Sequence, residues 1–346
     1  MAYTTIDLPT DYFNTVLYTG DGNDGRTVTG VGFQPDWVWI KSRNDTRNHA
    51  LQDSVRGTNK YLYGNLTDAE GTASTTLQSF DSDGFTLGTA NSWNRDTYNF
   101  VSWNWLAGGS ASSNSDGSIT SSVSANTTAG FSIVSFTGTG SVETIGHGLG
   151  TTPAMIILKN RTISGDYWHV FHQSLGGTKA LYLQTTDAAA TTSASWNNTN
   201  PTSTVFTNGS STYTNSSEYI AYCFAEKKGY SKFGSYVGNG TSGVDGAGDG
   251  TFVYTGFKPA MIIIKPSSAV ENWQILDNKR PGFNESDNLA PNNSAAENTG
   301  NDFVDLVSNG FKLRSGTYSA SGVTYIYMSF AENPFVTSKG IPTTAR

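Results

Sequence analysis

The sequence predicts an all-β protein made of three tandem β-sandwich, jelly-roll-like repeats of about 100 residues each. Three observations lead to this prediction: a recurring strand motif, a near-constant distance from that motif to a second apolar run, and the composition. Gly, Ser, Thr and Asn are abundant and 12% of the residues are aromatic. No stretch has the apolar spacing of three and four residues that an amphipathic helix requires.

The recurring motif is a proline followed by an apolar run that ends in lysine. It occupies residues 32–41, 150–159 and 256–265, and the proline lies six residues before the lysine each time. A second apolar run ends at Trp105, 70 residues after Pro35. The corresponding residues Phe224 and Phe330 lie 71 residues after Pro153 and Pro259. Insertions would scatter these distances, so the spacing predicts three copies of one folded unit.

Both runs are predicted to be strands. In the closing run, Val101, Trp103 and Trp105 alternate with Phe100, Ser102 and Asn104, which predicts a strand with one face in the core. The run after the proline is apolar on both faces in the second and third copies, so we expect a central strand that is covered on both sides. The prolines stand at its entry, where a missing N–H costs no ladder hydrogen bond. Asp-Gly and Asn-Gly pairs, such as Asp83-Gly84 and Asn309-Gly310, predict tight turns.

These landmarks predict the domain organisation. We expect an N-terminal arm at 1–12, repeat 1 at 13–107, a linker at 108–118, repeat 2 at 119–229, and repeat 3 with a short C-terminal tail at 230–346. The linker is rich in Gly and Ser and has no large side chain, so it is expected to be flexible. The junction at 226–232 is short and basic. Repeats 2 and 3 should therefore pack together while repeat 1 has more freedom, each repeat having enough chain for its own core.

Charge and cysteine content exclude several classes of protein. The chain has 21 basic and 28 acidic residues and no Lys/Arg cluster to neutralise a row of phosphates, so nucleic acid is not expected as a partner. No signal peptide or membrane span is predicted, and we expect a soluble protein made in the cytosol. The single cysteine, Cys223, is interpreted as a small strand residue and not as a reactive thiol.

No catalytic motif is found, and no catalytic residue is predicted. His169 and His172 form the one close histidine pair, but on a strand they point to opposite faces, which disfavours a zinc site. No cofactor is expected. Ca²⁺ is the metal that two acidic loops could take, one at 21–25 and one that contains Asp245 and Asp249, although neither has an EF-hand layout.

Aromatic residues in polar loops are the remaining candidates for function. They lie before the closing strand of each copy: Trp93 and Tyr98, Trp196 and Tyr213, and Tyr318. Rings among Asn, Ser and Thr are typical of a carbohydrate platform, because a ring stacks on the apolar face of a sugar while amides bind its hydroxyls. The alternative is that these rings cover the end of the sandwich.

Several segments carry a resemblance to a known family. They are residues 1–6, 11–15, 17–20, 32–41, 54–57, 82–88, 103–105 and 329–335. Together they resemble a repeat family found in tailed phages of marine bacteria. The resemblance implies a virion structural, tail or tail-fibre protein at the virion surface, with no catalytic residues to carry over.

Three functions are considered, two that fit this resemblance and one from another class. The first is a tail-associated fibre or adhesin component whose loops contact a host-surface polysaccharide. The second is a capsid decoration or head-fibre protein that stabilises or projects from the shell, and the third is a polysaccharide depolymerase. Other virion proteins are the expected partners, with attachment through the arm at 1–12. Particle symmetry favours a homo-oligomer, a trimer above all.

Overall fold

The computed structural model describes residues 2–209, 216–241, 248–280, 287–300 and 302–343. These residues form antiparallel strands almost throughout, with a short helix, α1, at Asn91–Asn94 and 3-10 turns at Pro9–Asp11 and Gly316–Tyr318. The predicted all-β class is confirmed. We call residues 13–107 unit 1, residues 119–229 unit 2 and residues 230–343 unit 3.

The strands follow one another along the chain in short segments. Unit 1 contains β1 (Phe13–Thr19), β2 (Arg26–Thr29), β3 (Trp37–Ser42), β4 (Ala50–Asp53), β5 (Lys60–Tyr63), β6 (Gly71–Thr72), β7 (Leu77–Asp81), β8 (Gly84–Leu87) and β9 (Asn99–Trp105). Next come β10 (Ser112–Asn114) and, in unit 2, β11 (Ser121–Asn126), β12 (Phe131–Thr137), β13 (Glu143–Gly146), β14 (Met155–Asn160), β15 (Trp168–His172), β16 (Lys179–Tyr182), β17 (Ala190–Thr191), β18 (Val205–Asn208) and β19 (Glu218–Phe224). Unit 3 contains β20 (Ser231–Val237), β21 (Phe252–Tyr254), β22 (Phe257–Pro266), β23 (Gln274–Asp277), β24 (Val304–Val307), β25 (Gly310–Leu313) and β26 (Thr324–Pro334).

Each unit has a large sheet and a small one, and the large sheets share an order. They contain β1-β9-β3-β4, β12-β19-β14-β15 and β20-β26-β22-β23. The closing strand (β9, β19 or β26) therefore always lies beside the strand after the proline (β3, β14 or β22). Further strands extend the first two of these sheets at their edges: β5-β6 in unit 1, and β10-β11 and β16-β17 in unit 2. The small sheets are β2-β8-β7, β13-β18 and β21-β25-β24.

The strand after the proline is buried on both faces, as its composition predicted. One face packs against the small sheet of its own unit: Val38 and Ile40 of β3, for example, join Val28 and Phe85 in an outer hydrophobic cluster. Equivalent clusters lie in units 2 and 3. Each unit is thus a sandwich with a core between its own two sheets.

The other face of that strand belongs to a central core, which all three units share. Trp37 stacks on Tyr222 of unit 2 with ring centroids 4.2 Å apart, and Trp105 meets Phe330 of unit 3 at 5.8 Å. The chain exposes 12397 Å², compared with about 13,600 Å² expected for a compact monomer of this mass. The expectation that repeat 1 has more freedom than the other two is therefore wrong, because its Trp37 and Trp105 side chains are buried against units 2 and 3.

Main-chain hydrogen bonds join the units in a closed ring. Glu70 N donates to Arg161 O (2.8 Å) between units 1 and 2, and Ala189 N donates to Ser267 O (2.8 Å) between units 2 and 3. Glu297 N then donates to Arg43 O (2.7 Å), from unit 3 back to unit 1. The three hydrogen bonds lie at corresponding positions of the units, so each unit is bonded to both of the others.

The motif lysines Lys41, Lys159 and Lys265 are buried, and two of them help to join the units. Lys159 Nζ donates to Thr67 O of unit 1 (3.3 Å), and Lys265 Nζ donates to Thr186 O of unit 2 (3.1 Å). Burial lowers the pKa of all three lysines to about 8. Their recurrence in the sequence is explained by this role, since each ammonium satisfies main-chain carbonyls that the fold buries.

The linker, which was expected to be flexible, and the N-terminal arm are both packed against the body. In the linker, β10 pairs with β11, and Asp36 Oδ2 accepts hydrogen bonds from Ala107 N (2.8 Å) and Gly109 N (3.2 Å). In the N-terminal arm, Ile6 is buried in the central core. The linker is not a flexible tether, and an attachment through a free arm would require Ile6 to leave that core.

Candidate functional site

The aromatic residues predicted to form a carbohydrate platform are largely inside the protein. Trp93, Trp196 and Tyr318 are only 2%, 1% and 3% exposed, and each belongs to the outer cluster of its unit. Tyr98 is half-buried, with the Arg95 guanidinium 4.1 Å above its ring. Tyr213 lies outside the described residues. The expectation of exposed rings is thus wrong for the three buried residues, which cover the ends of the sandwiches.

A different aromatic pair is exposed on unit 3. Phe252 and Tyr254 of β21 are 45% and 55% exposed, while Val253 between them is buried in the outer cluster. The strand therefore turns two rings outward and one aliphatic side chain inward. We call Phe252 and Tyr254 the aromatic ridge.

The corresponding positions in the other units are not aromatic. Phe252 pairs with Lys312 and Tyr254 with Gly310 in unit 3; in unit 1, Thr27 pairs with Thr86 and Thr29 with Gly84. In unit 2 the matching residues of β13 are Thr144 and Gly146. The sandwich thus forms without aromatic residues here. A comparison of Phe252-Val253-Tyr254 with Thr27-Val28-Thr29 was the sequence signal that could have identified the ridge.

Tyr254 also forms part of the wall of a surface groove of about 520 Å³. The groove lies where the N-terminal arm crosses the junction of units 2 and 3. Its lining consists of Tyr3, Glu226, Lys228, Gly229, Ser231, Lys232, Tyr254, Thr255 and Gly256. We call it the tyrosine groove.

Two glycines hold Tyr3 in the tyrosine groove. Tyr3 Oη donates to Gly256 O (2.5 Å). A Cβ on Gly256 would lie 2.7 Å from the Tyr3 hydroxyl oxygen. On the other side, a Cβ on Gly229 would lie 2.9 Å from Thr4 Cβ. Both glycines have positive φ, +82° and +78°, which side chains rarely adopt. The sequence therefore allows the arm to approach both turns closely.

The hydroxyls of Tyr3 and Tyr254 both lie near Gly256, where an added Cβ would be 2.7 Å from the Tyr3 oxygen and 3.6 Å from the Tyr254 oxygen. Burial, followed by the hydrogen bond and the charge of Tyr254, raises the pKa of Tyr3 to about 12. Tyr3 therefore stays neutral at physiological pH.

The groove is locally basic although the chain has a net charge of −7. Lys228 Nζ lies 4.6 Å from the centre of the Tyr3 ring, and Lys232 Nζ lies 2.6 Å from Glu226 Oε1. Within the described residues, Lys228 has no carboxylate at salt-bridge distance. It is exposed, so its charge is available to a ligand.

A Ser-His-Asp arrangement occurs in unit 2. His169 Nδ1 lies 2.8 Å from Ser195 Oγ, and His169 Nε2 lies 3.4 Å from Asp166 Oδ1. Ser195 is 1% exposed, so a polysaccharide cannot reach its hydroxyl in this conformation. His172 points to the opposite face, as predicted, and its Nε2 contacts Tyr327 O of unit 3 (3.2 Å).

The loop proposed for Ca²⁺ is satisfied by protein donors. Asp21 Oδ1 accepts from Asn23 N (3.0 Å) and Asn94 Nδ2 (3.1 Å), and Asp24 Oδ1 accepts from Gln78 Nε2 (2.8 Å). In the second loop, Asp249 pairs with Lys312, and Asp245 is outside the described residues. Among the residues that the structure describes, no three metal-ligating side chains come together.

Comparison with known proteins gives a family and no activity. Residues 8–334 match the family model described as "Domain of unknown function (DUF7483)". No curated protein matches the chain significantly. In the described part of the chain, no helix is long and apolar enough to cross a membrane.

Proposed function

The chain belongs to the DUF7483 family, and we propose that it is a non-enzymatic virion structural protein of a tailed phage, exposed at the virion surface and associated with the tail as a fibre or adhesin component. The observation that carries this proposal is the aromatic ridge. Phe252 and Tyr254 project from positions where unit 1 has threonine. Exposed apolar side chains that the fold does not require are expected to contact a partner.

The scaffold suits host attachment because it is rigid. The central core and the ring of main-chain hydrogen bonds fix the three units relative to one another. A binding surface on such a body keeps its geometry, which lowers the entropy cost of binding. The sequence resemblance to phage tail and tail-fibre proteins supports the tail as the location.

We propose other virion proteins as partners and a homo-oligomer, with a trimer as its form. The trimer was inferred from particle symmetry. Light scattering on the purified chain tests it directly: a mass of three times 37.0 kDa is expected, and a monomer at micromolar concentration would contradict it.

Capsid decoration is a second candidate, and the compactness of the chain favours it. Three sandwiches that share one core form a single body and not an extended shaft. A depolymerase is the third candidate; hydrolysis of a glycosidic bond generally uses a pair of carboxylates, so the buried Ser195 hydroxyl gives it no support. Release of reducing ends from host envelope glycans by the purified protein would restore that candidate.

The test of location is cryo-electron microscopy of intact virions, with gold-labelled antibody against this chain. Density at the tail is expected. Density over the capsid, with none at the tail, would replace the attachment proposal by capsid decoration.

The test of attachment uses the double variant Phe252→Thr/Tyr254→Thr, which gives unit 3 the residues of unit 1. The purified wild-type chain should bind host cells and block phage adsorption, and the variant should lose this effect while keeping its thermal midpoint. The matched control is Val270→Ser, which changes another exposed apolar residue of unit 3. Equal blocking by all three proteins would show that the ridge has no role in attachment.

A further inference from the structure

We propose that the tyrosine groove binds an acidic polysaccharide, with a sugar ring stacked on Tyr254 and a carboxylate of the sugar paired with Lys228. This inference rests on the proposed attachment function and adds the chemical class of the ligand. It also identifies the residues that distinguish an acidic glycan from a neutral one.

The stacking surface is the first part of the site. Tyr254 is 55% exposed and lines the groove together with Tyr3, so its ring is available for stacking. Phe252 lies two residues away on the same face of β21, about 7 Å along the strand. Two rings at this distance can contact successive parts of an extended chain, whereas a compact small ligand needs only one.

Charge is the second part of the site. The segment at 226–232 carries Lys227, Lys228 and Lys232 against Glu226. Glu226 pairs with Lys232, which leaves Lys228 to face solvent above the Tyr3 ring. An ammonium held over an aromatic face keeps its position at little entropic cost, and its charge is only partly balanced by the ring.

The third part is the polar lining that could bind sugar hydroxyls. It consists of the Tyr3 hydroxyl, which donates to Gly256 O and can still accept a hydrogen bond, and of the pair formed by Lys232 and Glu226. Aromatic stacking, these polar groups and the Lys228 ammonium in a surface groove complement a uronic-acid polymer. A basic groove on a chain of net charge −7 also favours an anionic ligand locally without attracting anions to the rest of the surface.

The experiment compares two ligands, one of which has its charges removed by methyl esterification. Oligosaccharides of polygalacturonate and of their methyl ester are titrated into the full-length chain by calorimetry in 50 mM NaCl. The acid should bind and the ester should bind at least about tenfold more weakly, which is the effect of one ion pair of moderate strength. Raising the salt to 500 mM should remove most of this difference, because screening shortens the range of the Lys228 charge.

Three variants assign the contacts. Lys228→Ala should weaken binding of the acid about tenfold and leave the ester unchanged, and Tyr254→Thr should weaken both ligands. Lys179→Ala, an exposed lysine of unit 2, is the control and should bind as wild type does. Circular dichroism confirms that each variant is folded.

Three results would overturn the inference: equal affinity for acid and ester, equal affinity of Lys228→Ala and Lys179→Ala for the acid, or no binding of either ligand at millimolar concentration. None of these results would contradict the proposed attachment function, which is tested separately by density on the virion and by adsorption to cells. If the protein blocks adsorption but binds acidic and neutral glycans equally well, the attachment function stands and the acidic polysaccharide is ruled out as the ligand.

Discussion

The contact between unit 3 and unit 1 gives a sharp prediction about stability. Glu297 is only 4% exposed at its side chain and joins two arginines of different units. Its Oε1 accepts from Arg280 Nη1 (2.8 Å), and its Oε2 accepts from Arg43 Nε (2.9 Å). Glu297→Gln keeps the shape of the side chain and removes its charge.

The expected loss of stability depends on the partners that Arg280 and Arg43 keep after the substitution. Removing one partner of a buried ion pair costs about 3–5 kcal/mol. Arg280 keeps Asp277 at 2.7 Å, and Arg43 is one-fifth exposed and can gain water. We therefore expect Glu297→Gln to lower the free energy of unfolding by about 2–3 kcal/mol. Glu70→Gln, which changes the corresponding contact of units 1 and 2, should have a similar effect.

The assay is urea unfolding followed by tryptophan fluorescence and far-UV circular dichroism. The control is Glu332→Gln, because Glu332 pairs with Lys258 at 2.8 Å but both side chains are about a third exposed. That variant should lose no more than about 0.5 kcal/mol. If Glu297→Gln were no less stable than Glu332→Gln, the ring of contacts would contribute little to holding the units together.

Three further predictions concern the interior. Trp37→Ala should cost about 3–5 kcal/mol in urea unfolding, because the ring stacks against Tyr222 and Trp105; a loss below 1 kcal/mol would contradict the shared core. Burial lowers the pKa of buried lysines such as Lys159 to about 8, whereas unfolded lysine titrates near pH 10.4. The unfolded state binds more protons between these values, so the free energy of unfolding should rise by about 1 kcal/mol or more from pH 8 to 9.5; a fall, measured by urea titration at each pH, would refute this. Burial also raises the pKa of the Cys223 thiol, so Ellman's reagent should label it only as the protein unfolds, and labelling of the native protein within minutes would count against the structure around β19.

Much of the strand pattern could be predicted because it depends on local periodicity. The alternation of Val101, Trp103 and Trp105 places all three in the central core, and the Asp83-Gly84 turn joins β7 to β8 as expected. The shared core could not be predicted in the same way. Periodicity shows that a face is buried, but the same pattern results whether that face meets its own unit or another one.

The errors on the linker and the loop aromatics have physical causes too. The linker is held by main-chain groups, such as the N–H of Gly108 that donates to Ser124 and the N–H of Gly109 that donates to Asp36, and side-chain composition carries no information on such bonds. Polar neighbours suggested that Trp93 was exposed. Asn94 beside it is itself buried, because its amide donates to the carbonyls of Asn23 and Gly88.

The division between an inner and an outer core indicates where the units can diverge. A residue such as Trp37 contacts two units at once, so a change there requires matching changes in a neighbouring sandwich. The outward face of a small sheet has no such constraint, and there the same position holds Thr27, Thr144 or Phe252. A chain built this way can alter one outer surface without disturbing its core. Unit 3 has the aromatic ridge and, beside it, the tyrosine groove, to whose wall the N-terminal arm contributes Tyr3; a ligand should therefore be sought on this unit first.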